Sequence, residues 1–140
     1  MTRRRATIIL HWSNLILLML LLAGGLTPVL MWGFAVSGLA MGALALLRGL
    51  MNGPGPKLQG IMRAVHPWSG RVIYLFLAYV SGATLLALLD RPLGGPALGW
   101  LYQVLFSASL LHGIFHMWRH TALGDGALRR MSPTAFHKVL

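Results

Sequence analysis

The chain has 140 residues, 56% of them hydrophobic and only 10% charged, and it contains no cysteine. Such a composition excludes intrinsic disorder, and its mean hydropathy of +0.70 leaves too little polar surface for an ordinary soluble domain of this size. Without cysteine there are no disulfides, thiolate metal sites, iron–sulfur ligands or covalent c-type haem attachment.

A membrane-spanning helix needs ~20 predominantly apolar residues. The first candidate runs from about Thr7 to Leu26 and carries no charge. It is too long for the apolar core of a cleaved signal peptide, and a second apolar run comes almost at once. That second span, about 29–47, is rich in Gly, Ala and Ser. The third is expected over about 67–89, with Pro67 in its first turn and Arg71 near its start, and the fourth over about 98–118. Breakers fall between them: Thr27–Pro28, then Asn52-Gly-Pro-Gly-Pro56 as a flexible loop, then Asp90-Arg-Pro-Leu-Gly-Gly-Pro96. Residues 119–140 form a tail. The expected fold is a single all-α domain over 1–140, an integral membrane four-helix bundle.

Alternating spans sort the charges. Arg3, Arg4, Arg5, Arg48, Lys57, Arg63, Arg71, Arg119, Arg129, Arg130 and Lys138 fall on one side, and Arg91 alone on the other. The positive-inside rule makes the crowded side cytoplasmic, with both termini there. The formal charge of +10 is then topology and contact with anionic membrane lipids rather than nucleic-acid binding. In the second span, Gly38-x-x-x-Gly42 permits close helix approach; ordinary packing within the bundle is the plainer reading, a homodimer or a foreign subunit's helix the other.

Ionisable groups are costly within a bilayer, so the histidines ask for an explanation. No acid lies inside a span, which disfavours proton-coupled transport. His11 lies about one turn into the first span, and His112, His116 and His120 lie four residues apart on one face of the fourth. Two helices thus present imidazoles at similar depth. Haem b suits that arrangement: its iron takes two axial imidazoles, here His11 and His112, its macrocycle lies between apolar helices, and Arg side chains at the interface pair with its propionates. Other readings stand beside it. His116 fits an alternative ligand, a quinone contact or a packing residue. His120 and His137 read as interfacial. A zinc site from His11, His112 and His116 also meets the spacing.

The residues resemble a known family. Arg5-x5-His11-Trp12, with a Leu-rich run ending in Gly24-Gly25, is similar to the first helix of the bacterial cytochrome b561 family and of the related cytochrome b subunits of formate dehydrogenases and nickel–iron hydrogenases. Val72-Ile-Tyr-Leu-Phe76, with Gly82 further on, resembles the third helix. His112-x7-His120 and then Asp125-Gly126-x-Leu128-Arg129-Arg130-Met131-x-Pro133 resemble the fourth helix and tail. The family usually holds two haems b. The resemblance implies His11 and His112 as ligands of the cytoplasmic-side haem, but it puts Phe34 and Leu98 where the ligands of the other haem should stand, so a single haem is expected. His66-Pro67-Trp68-x-Gly70 resembles a motif that opens the second helix of formate dehydrogenase cytochromes; here it opens the third. His66 then lies near haem propionates or a quinone headgroup, or is simply interfacial, and Arg71 belongs to the same region.

The implied function is electron transfer within the inner leaflet, through one bis-histidine haem, between a quinone and a redox partner. With both axial positions filled, dioxygen chemistry at the iron is not expected. The alternative is an accessory or anchor subunit of a larger respiratory or photosynthetic membrane complex, with a mainly structural role. Superoxide or quinone oxidoreductase activity, as in some members of the family, would need a basic site near an outer haem, where only Arg91 is available. No nucleophilic triad, phosphate loop or nucleotide fingerprint is present, so any catalysis is expected to be redox.

Overall fold

Thr2 opens helix α1 (Arg3–Gly24), its hydroxyl accepting from the Arg5 N–H at 3.4 Å, and Gly25 closes it at φ 88°, a backbone open to glycine. This computed structural model describes residues 2–51 and 55–138. Pro28 begins α2 (Pro28–Arg48) at a position where its missing N–H costs no helical bond. Helices α3 (Gly60–Leu88) and α4 (Leu98–Ala122) come next, then a short α5 (Ala127–Met131) and a single 3₁₀ turn over Thr134–Lys138. Among the described residues there is no strand.

Each of the four long helices packs on its chain neighbours, and α1 closes the ring on α4, while the backbones of the diagonal pairs stay apart. The result is an up-down bundle with both termini at one end. The α1–α2 and α2–α3 contacts are close, whereas α4 is the loosest wall. At 22, 21, 29 and 25 residues and ~1.5 Å rise per residue, every helix exceeds the ~30 Å of a bilayer's hydrocarbon core. All four are apolar enough to cross it, and their outward faces carry exposed Leu46, Leu75 and Leu111.

Small residues on α2 serve the inside of the bundle. A Cβ at Gly38 would overlap the Ser81 hydroxyl of α3, and one at Gly42 would rest 3.7 Å from Ala78 Cβ. The Gly38-x-x-x-Gly42 pattern is thereby accounted for by α2 meeting α3. Asn14 joins α1 to α2: its Nδ2 donates to the Leu10 carbonyl at 2.8 Å, and Ser37 Oγ donates to its Oδ1 at 2.9 Å.

The half of the bundle remote from the termini has a packed aromatic centre. Phe34 and Tyr102 are fully buried and meet edge to face with centroids 5.4 Å apart. Thr84 Oγ1 donates to the Val80 carbonyl at 2.7 Å, so the 2.8 Å bond between Thr84 and Tyr102 takes its proton from the tyrosine hydroxyl. Leu18, Leu21, Leu101 and Leu105 surround this pair, and Leu98 packs against the same cluster.

Two expectations need correction. The third helix begins at Gly60, so Pro67 lies inside it rather than in its first turn. A proline bars only one backbone bond, here to the carbonyl of the exposed Arg63, where solvent can replace it. The tail expected from residue 119 begins later and, as far as residue 138, is packed: α4 continues to Ala122, and the chain beyond it folds back over the bundle. Arg4 Nη2 donates to the carbonyls of Arg129 and Ser132 at 3.0 and 3.2 Å, and Trp12 Nε1 to that of Met131 at 3.0 Å. Lys57 Nζ donates to the Gly124 carbonyl at 3.1 Å. Of the loop expected at 52–56, residues 52–54 lie outside the described residues; beyond them Gly55 and Leu58 are buried.

Candidate functional site

The gap left by the loose α4 is an open cavity of about 160 Å³. Its floor is Phe34 and Leu105, beneath which the aromatic core closes the bundle. Leu15, Leu18 and Leu77 line its walls, and Ala127, Arg130 and Met131 of the folded-back segment cover the end nearest the termini.

Four of the six histidines face it: His11 from α1, His66 from α3, His112 and His116 from α4. The one-turn spacing brings His112 and His116 edge to face with centroids 4.3 Å apart. His66 meets the edge of His116 at 5.6 Å. His11 stands on a different helix with Trp12 at its edge, 6.0 Å away. Imidazoles therefore reach the cavity from three helices.

Arg71 is not among the lining residues. It points outward, exposed, with its guanidinium 4.7 Å above the Trp68 ring. His120 is half-buried, and His137 lies 3.2 Å from the Ser132 carbonyl through Nε2. Among the described residues no group of three potential ligands converges on one metal position, which leaves the zinc geometry without support.

Arg119 is the residue whose role sequence reading missed. Named there only among the basic residues of one side, it is 1% exposed and lines the cavity. Its Nε and Nη2 hold Asp125, the Nε bond measuring 2.7 Å, and its Nη1 lies 2.6 Å from His66 Nε2. Asp125 also accepts from the Ala127 N–H at 2.9 Å, tying α5 to the same network. A side chain at Gly55 would crowd the guanidinium, since its Cβ would stand 2.8 Å from Arg119 Cζ. One signal was present in the sequence: Asp125 is one of only two acids, six residues after an arginine and between two glycines.

The chemistry on offer is that of neutral nitrogen donors in an apolar chamber with cationic groups at one end. That suits a flat or elongated apolar molecule bearing a coordinating centre or an acidic edge. No protein-family model, curated protein or solved structure matches this chain.

Proposed function

We propose that the chain is a membrane b-type cytochrome, similar to the bacterial cytochrome b561 family, that holds one haem b between His11 and His112. It would lie in the bacterial inner membrane with both termini cytoplasmic and pass electrons between a quinone and a redox partner. The observation that carries this reading is the cavity. Its walls are apolar, and imidazoles enter it from the first and last spans. An apolar lining with imidazoles on two facing helices is the donor set that a haem b would need.

When bound, haem b supplies a centre that takes up and gives back one electron. The chain's own residues do the rest. His11 and His112 hold the iron, adding no charge in a low-dielectric interior. Leu15, Leu18, Leu77, Leu105 and Phe34 exclude water from the faces of the macrocycle. Arg119 and Arg130 favour negative charge at the covered end. The fully buried Phe34–Tyr102 pair fills the opposite half, which supports one haem rather than two.

The test is the reduced-minus-oxidised spectrum of the purified protein with haem quantitation. One haem per chain is expected, and His11→Ala or His112→Ala should each abolish or displace the Soret band. Two haems would overturn the single-site reading; a colourless protein, or variants with unchanged haem content, would overturn the cytochrome. Loss of haem in a membrane complex that still assembles and turns over would favour the anchor-subunit alternative.

A further inference from the structure

His66 is 5% exposed, lines the cavity and carries a buried Nδ1 with no hydrogen-bond partner in the protein. Its other nitrogen settles which tautomer is present. A guanidinium has donors only, so Nε2, 2.6 Å from Arg119 Nη1, must be the acceptor. The ring is then neutral, and its single proton sits on Nδ1. Arg119 is itself held on its far side by Asp125, so the imidazole cannot exchange roles without breaking a buried ion pair.

An N–H buried without an acceptor is costly, and such groups commonly mark an absent ligand. Four features define what would satisfy this one. The donor stands at the covered end of a deep apolar chamber. Gly70, one turn further along α3, lines the same wall and presents no side chain. Arg119 and Arg130 both line the chamber while Asp125 neutralises only the first, leaving positive charge there. The rest of the lining is predominantly apolar.

We propose that His66, fixed by the Arg119–Asp125 pair, is the seat of a carboxylate: its Nδ1–H donates to an anionic oxygen of an amphiphile whose apolar body fills the cavity. The unbalanced charge selects a carboxylate over a neutral carbonyl. Two sources share this chemistry, a carboxylate side chain of the bound cofactor and a free long-chain carboxylate from the bilayer. The first source rests on the haem reading above; the seat does not. Arg119 is a positioning residue here, acting through His66.

The experiment uses the full chain in lipid nanodiscs, with His66→Phe and His66→Asn beside wild type. The asparagine amide restores a donor near the Nδ1 position. Ferric haem b, its dimethyl ester and decanoate are titrated separately, with the His66 imidazole ¹⁵N resonances as a second readout. Wild type is expected to bind haem roughly tenfold or more tightly than the diester, the value of a hydrogen bond to a charged group. His66→Phe should erase that preference, and His66→Asn should recover most of it. If haem fails to bind but decanoate moves the Nδ1 resonance, the seat stands and the cytochrome reading falls. Equal binding of haem and diester by wild type, or an ester penalty that survives His66→Phe, overturns the seat and leaves the cytochrome intact. If neither haem nor decanoate binds, both are overturned.

Discussion

Asp125 has a task that its position in the sequence conceals. Its carboxylate is fully buried against Arg119, which is itself enclosed. Truncating one partner of a buried pair strands the other charge, at a cost of about 3–5 kcal/mol, while replacing both is far milder. Asp125→Ala should therefore be severely destabilising, and Arg119→Leu/Asp125→Ala much less so. Denaturation in mixed micelles measures this as a coupling energy. Independent effects of the two substitutions would show that the pair does not hold the fold. His66 is coupled to the same cluster, which is why its role was open in the sequence. A histidine before a proline reads as interfacial until the residue bonded to its ring is known, and that residue lies 53 positions away.

At the scale of helices, the contact between α2 and α3 makes the sharpest demand. Gly38 sits against Ser81 with no room for a Cβ, while Gly82, the next residue on α3, has nothing within 4 Å of where its Cβ would stand. Gly38→Ala should lose about 1–3 kcal/mol through overpacking, whereas Gly82→Ala should be neutral or slightly stabilising because alanine is the better helix former. Steric-trapping or thermal unfolding in bilayer mimetics separates the two. Equal effects would mean that the close approach of α2 and α3 does not constrain the fold. The early start of α3 belongs to this scale as well. Pro67 looked like a helix opening because proline favours that place, yet the preceding turns hold because His66 is anchored to α4 and the buried Leu58 pins the chain just upstream.

For the whole molecule, the arrangement of charge predicts orientation. The absence of cysteine gives a clean background for single reporters. Thr134 and Gly94 are both exposed, at opposite ends of the bundle. A membrane-impermeant maleimide should label Gly94→Cys in spheroplasts but reach Thr134→Cys only after the membrane is opened. The reverse pattern would invert the topology and place the cavity near the outer face.

What the sequence determined by itself was the set of long apolar helices, the breakers between them and the height of the histidines along those helices. Hydropathy and turn chemistry are local, and eleven of the twelve basic residues fall on one side once the spans alternate. Rotation about the helix axes was left to tertiary structure. A helix whose outward face meets lipid is apolar all round, so the stripe that marks the inward face of a soluble helix is missing. Only the packed bundle decided that Arg71 points outward while Arg119 turns in, and that Phe34 and Tyr102 fill one half. Only the folded-back segment decided that the other half is a covered chamber, because its bonds to Arg4 and Trp12 span more than a hundred residues.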